Sequence, residues 1–101
     1  MHYRITKIKH NSESLDDLIS YLGSVESDVQ LIDGLQSVTV VNISDTESIA
    51  FSAYENEDQM NNAAEKYREI MGGMAQHITA PPEMSSGDFI WTWVRLIAYL
   101  D

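Results

Sequence analysis

Seven side chains have the types from which a small-molecule site can be built: Tyr54, Tyr67, Met71, His77, Trp91, Trp93 and Arg95. Aromatic walls with a few polar tips are the usual make-up of pockets for small organic ligands. His77 falls just past a helical pattern and before a proline pair, where a cleft rim can form. Imidazoles titrate near neutral pH, as a general base must. Plainer readings stand beside these. Trp91 and Trp93 share parity on an extended segment and can serve as core or interface, Tyr67 and Met71 fall on the apolar stripe of a helix, and a lone histidine in a connection is commonly solvated.

Other chemistries find little support. There is no cysteine, which removes disulfides, thiolate nucleophiles and sulfur-ligated metals. His2 and His10 share strand parity but stand eight residues apart, too far at about 3.3 Å per residue to share one ion. The chain contains no HExxH, phosphate loop, GxGxxG or serine nucleophile elbow. The carboxylate pairs Asp16-Asp17 and Glu57-Asp58 open helical patterns, where the helix dipole accounts for them. No metal and no cofactor is expected.

The elements that must position these residues follow from periodicity. Tyr3, Ile5 and Ile8 mark a first strand between Met1 and His10, and the step of three from Ile5 to Ile8 suggests a bulge. Leu15, Leu18, Ile19, Leu22, Val25, Val29 and Ile32 recur at helical spacing. Ser12 or Ser14 can cap that helix, Gly23 can weaken it, and Gly34 can end it in the left-handed conformation. The β-branched run Val38, Val40, Val41 and Ile43 and the run from Ile49 to Tyr54 read as a hairpin around Asp45-Thr46. Met60, Ala63, Ala64, Tyr67, Met71 and Met74 make a second helix, with Asn56 as its cap. Beyond Pro81-Pro82, Ser85-Ser86-Gly87 reads as a turn and Phe89 to Val94 as a final aromatic strand.

This order is βαββαβ, an α+β, ferredoxin-like arrangement: an antiparallel four-stranded sheet with two helices on one face. At 101 residues one domain spanning 1–101 is expected, since domains commonly run to about 100–150 residues. Two helices cover one face only. Strand parity nevertheless gives apolar residues on both sides, Ile49 and Phe51 against Ala50 and Tyr54, and Phe89, Trp91 and Trp93 against Ile90 and Val94. An uncovered apolar face marks a partner surface, and a symmetric homodimer is the commonest solution. The net charge of -10 opposes binding to nucleic acid or anionic membranes. No apolar run reaches the roughly 20 residues of a membrane helix, so a cytoplasmic location is expected.

Gly34-Leu35 before a hairpin, Tyr54 followed by an acidic, alanine-containing helix, Met71 near its end, then Pro81-Pro82-Glu83, Gly87 and Trp91 make a succession that resembles the antibiotic biosynthesis monooxygenase superfamily. The resemblance implies a dimeric α/β barrel in which two sheets meet face to face. It also implies a cofactor-free monooxygenase acting on a small, electron-rich aromatic compound, whose pocket uses asparagine, tryptophan, tyrosine and arginine, types that Asn61, Asn62, Trp91, Tyr54 and Arg95 supply here. With His77, taken from its own position and chemistry, Tyr54 and Arg95 are the catalytic candidates, and Tyr67, Met71, Trp91 and Trp93 are expected against the substrate. The haem-degrading branch of that superfamily carries an asparagine in strand one and a tryptophan in helix two, and neither stands in this chain. A non-catalytic module that uses the barrel to hold a small ligand, or to dimerise under stress, is the other class of function that fits.

Overall fold

In a computed structural model that describes residues 1–95, alternation of burial along the first strand decides the architecture. In β1 (His2–Lys9), His2, Arg4, Thr6 and Ile8 are buried, as is His10 just beyond it, while Ile5, Lys7 and Lys9 face outward. A strand sends alternate side chains to opposite faces, so the even positions of β1 define the helix-covered side of the sheet. That side is unexpectedly polar. The remaining strands are β2 (Leu35–Ser44), β3 (Glu47–Tyr54) and β4 (Glu83–Asp88), in the order β2-β3-β1-β4, with every pairing antiparallel. Arg4 stands opposite Ser52 of β3 and Ser86 of β4, and Thr6 opposite Ala50 and Met84.

The first helical stretch is α1 (Leu15–Ser24) followed by α2 (Glu26–Val29), bent at Val25. The bend falls two residues after Gly23, where helix propensity is lowest. Leu18 is buried against Ile8 and Met74, each gaining about 2 kcal/mol from leaving water. The second stretch is α3 (Glu57–Asn62) and α4 (Ala64–Gly73), with Ala63 at the bend. Asn56 caps it as expected, its side-chain oxygen accepting from the Gln59 N–H at 2.9 Å. Gly34 has φ of 80°, the left-handed region expected of it. The fold is thus the ferredoxin-like α+β arrangement. No helix among the described residues is long and apolar enough to cross a membrane.

Three local expectations are corrected. Neither Ser12 nor Ser14 caps α1 with its hydroxyl; the backbone N–H of Ser14 instead donates to the Asn11 carbonyl at 3.0 Å. β1 carries no bulge, since it runs in unbroken register from His2↔Tyr54 to Lys9↔Glu47. Ile5 and Ile8 simply point to opposite faces, and the irregularities fall in β2, between Leu35 and Ser37 and between Asn42 and Ser44. Finally, Ser85-Ser86-Gly87 is not a turn but the middle of β4, and the aromatic segment after it is unpaired apart from the Phe89 N–H, which donates to the Met1 carbonyl at 3.1 Å. Register with β1 outweighs the weak strand propensity of serine and glycine there. The two-sided apolar character therefore belongs to β3 and its neighbours, not to β4, whose residues are all exposed.

Candidate functional site

Between the helices and the sheet lies an apolar cavity of about 70 Å³. Val38 and Val40 of β2, Ala50, Ser52 and Tyr54 of β3, Leu22 of α1, and Tyr67 and Met71 of α4 line it. Strand parity puts the sheet residues there, and spacing of four along α4 puts Tyr67 and Met71 on one face of the helix. Outside it, between α1–α2 and β2, runs an open groove of about 570 Å³. Leu22, Val29, Leu35, Val38 and Val40 line both spaces and form the wall between them. Alone the cavity is far below the roughly 300–1,000 Å³ of ordinary ligand sites; joined to the groove it falls within that range.

A buried polar cluster lies against Tyr67, outside the cavity lining itself. Tyr67 hydrogen-bonds through its hydroxyl to the Thr6 hydroxyl, and the Arg4 guanidinium lies over the Tyr67 ring with Cζ 3.9 Å from its centre and 5.5 Å from that of Tyr54. Arg4 Nη2 donates to the Met60 carbonyl at 3.2 Å, while Nη1 is buried without a partner. Of the ion pairs among the described residues, none involves Arg4. Burial pushes the Tyr54 phenol above its ordinary value against the lowering pull of Arg4, with the neighbouring Tyr67 adding to the rise. Tyr67 is raised by burial as well, opposed by its bond to Thr6 and by the Arg4 charge. Both are neutral hydrogen-bond donors at physiological pH.

A second buried network resembles a nucleophile and base. His10 Nε2 lies 2.9 Å from Ser48 Oγ, and Nδ1 lies 3.0 Å from the Asn11 carbonyl, which fixes the tautomer so that the serine donates to Nε2. With its amide nitrogen turned inward, Asn42 donates to Ser48 Oγ at 3.2 Å and to the Ser44 carbonyl at 2.7 Å. Neither His10 nor Ser48 lines the cavity. The network ties the β2–β3 hairpin to β1 and leaves no room for a substrate.

The sequence candidates separate into groups. Tyr54, Tyr67 and Met71 meet at the cavity. His77 lies in a 3₁₀ turn at Ala75–His77, its ring 6.5 Å from that of Tyr21, and does not line the cavity. Trp91 and Trp93 are 79% and 63% exposed, and Arg95 stacks its guanidinium 4.9 Å from the Trp93 ring, outside the helix-covered interior. Sequence reading missed Arg4, Thr6 and Ser52. Lys7 and Lys9 share the parity of Tyr3 and Ile5, which was the available sign that the even face of β1 turns inward. Among the described residues no group of three or more His, Cys, Asp or Glu side chains could hold a metal ion.

No family model matches this sequence, and no curated protein sequence matches it. Solved structures do. A monooxygenase from ActVA-Orf6 of Streptomyces coelicolor, in complex with the ligand nanaomycin D, superposes with a TM-score of 0.77 at 14% identity over 94% of this chain and 92% of its own. SnoaB, a cofactor-independent oxygenase from Streptomyces nogalater, gives 0.75 at 10% identity over 90% and 94%. A protein of unknown function from Nitrosomonas europaea gives 0.75 at 12% identity over 94% of both chains. The fold of the single chain, a four-stranded antiparallel sheet with helices packed on it, is that of the antibiotic biosynthesis monooxygenase structures, as the sequence resemblance implied for one copy.

Proposed function

We propose that this chain is a cofactor-independent monooxygenase acting on a small, electron-rich aromatic compound at the cavity between sheet and helices. The observation that carries this reading is that Tyr67 and Ser52 line an otherwise apolar cavity while a buried guanidinium lies over the Tyr67 ring. The shared fold with a cofactor-independent oxygenase supports it. The chemistry needs no external reductant: a phenol and one dioxygen give a para-quinone and one water, one oxygen atom becoming a ring carbonyl and every electron coming from the substrate. The protein excludes water, orients the ring and steadies the anion that develops on its oxygen. Tyr67 is assigned to that oxygen as hydrogen-bond donor, and Tyr54 and Met71 to the walls.

The working form is a homodimer in this reading. The face of the sheet away from the helices carries Ile5, Val41, Ile49 and Phe51, with Ile5 36% and Val41 41% exposed. Phe89 stands against Tyr3, which shares that face, and Ile90 and Trp91 after it are 99% and 79% exposed, apolar side chains of the kind a partner surface covers. Trp91, Trp93 and Arg95 are assigned to the contact between copies, where the partner brings them near a site, and His77 to the rim.

Oxygen uptake with a panel of phenols that carry hydrogen at the para position tests the enzyme directly, and one dioxygen consumed per para-quinone formed, with one of its atoms recovered in the quinone by isotope labelling, is expected. A second reading, a ligand-binding module without turnover, is favoured by the small volume of the cavity as it stands, about 70 Å³. Binding of the same compounds with no oxygen consumed by any of them decides for the module.

A further inference from the structure

The interior holds a charge that no ion pair among the described residues balances. Arg4 is 7% exposed, one guanidinium nitrogen reaches the Met60 carbonyl, and Nη1 is buried without a partner. A guanidinium has five N–H donors and is never deprotonated in proteins, so burial leaves both a charge and several donors to be satisfied. Stacking on Tyr67 offsets part of the cost and does nothing for the donors. Two acidic side chains on this side of the sheet serve another group: Asp88 lies 2.7 Å and Glu57 3.8 Å from the nitrogens of His2. In a chain of net charge -10, a buried cation that no described carboxylate pairs is one whose field is left free for something else.

Its position says for what. Arg4 stands opposite Ser52 in the sheet and beneath the ring of Tyr67, and both of these line the cavity while Arg4 itself does not. A molecule that displaces Leu22 and Val29 from the dividing wall passes from the groove to the Tyr67 and Ser52 hydroxyls with the guanidinium directly behind them. We propose that the cavity takes its ligand head first as an anion, a phenolate or enolate whose oxygen accepts from Tyr67 and Ser52, and that Arg4 is the positioning residue whose charge selects the ionised form. The inference rests on the cavity being the site of the proposed enzyme. It goes further in naming the ionised state of the substrate, the end that enters first and the residue that favours it. Neutral aromatic compounds of the same shape bind without that gain.

The test uses 4-nitrophenol, whose phenolate and phenol absorb at different wavelengths, with nitrobenzene as its neutral counterpart and the whole chain as receptor. Bound to the wild type, 4-nitrophenol ionises at lower pH than it does free in solution, corresponding to a preference for the phenolate of about tenfold or more. Arg4→Met abolishes that shift while nitrobenzene binding changes little, and Arg4→Lys retains part of it. If Arg4→Met does not fold, Arg4→Lys decides: a shift reduced below the wild-type size supports the inference and one of full wild-type size overturns it. A bound probe that ionises at the same or higher pH overturns the inference, as does a shift that survives Arg4→Met, because a surface cation would then be responsible. Oxygen uptake without any preference for the anion removes the inference and leaves the enzyme standing. Preference for the anion without oxygen uptake does the reverse. If neither probe binds, the cavity is not a ligand site and both fall.

Discussion

The Arg4 guanidinium lies face-on to Tyr67, its Cζ 3.9 Å from the ring centre, while the hydroxyl of the same tyrosine is tied to Thr6 two residues along the strand. Ring and hydroxyl can therefore be separated by mutation. Tyr67→Phe keeps the stack and removes the donor, so the variant folds and its turnover of a para-unsubstituted phenol falls by about a hundredfold, the scale of one lost hydrogen bond to a developing anion. Steady-state oxygen consumption measures it, and a variant as active as wild type takes Tyr67 out of the chemistry.

The buried phenols make stability depend on pH in alkaline solution. Burial raises Tyr54 and Tyr67 above the ordinary value of 10.0, so the native state holds these protons more tightly than the unfolded chain. Their contribution is complete below that value and is lost as pH rises from it towards the folded pKa. Urea midpoints compared at about pH 8 and about pH 10.5 should fall at the higher pH. Tyr54→Phe, with one such group fewer, should show a smaller fall; an equal fall assigns the effect elsewhere.

Gly34 is constrained twice. Its φ of 80° is costly for any residue with a β-carbon, and a β-carbon there would stand 2.6 Å from the Gln59 side chain. Gly34→Ala is expected to destabilise by about 1–3 kcal/mol, read from the denaturation midpoint. Gly23→Ala is the control, since nothing lies within 4 Å of an added β-carbon there and the change restores helix propensity.

Assembly is tested on the face away from the helices. Light scattering should give about twice the 11.4 kDa chain mass. Phe51→Asp places a charge in the middle of that face, which costs several kcal/mol if it is buried there unpaired, and returns the chain to the mass of one copy. A variant that stays paired at wild-type strength removes this face from the interface.

How much of this was legible from residues alone depended on whether local pattern and tertiary pairing agreed. At Gly34, at Asn56 and along Leu15, Leu18 and Leu22 they did, because a left-handed turn, a cap and a helical stripe are each decided within a few residues. At β4 they disagreed. Phe89 to Val94 has the stronger strand propensity, yet Glu83–Asp88 is the segment whose backbone meets β1. Arg4 was missed for a related reason. A charged residue in a strand is read as outward, and only the lysines of opposite parity, Lys7 and Lys9, show that outward is the other face.

Both borders of the sheet are guarded against growth. β4 is short, follows Pro81-Pro82 and carries Glu83 and Asp88 at its ends, while β2 is interrupted near each end by a register shift. Strand-by-strand addition of further chains, the route to fibres, finds a charged or distorted template at either border. In the proposed homodimer, contact between copies falls to the broad side of the sheet, where a twofold arrangement closes on itself, so the same geometry that would bring two copies together would also limit the assembly to two.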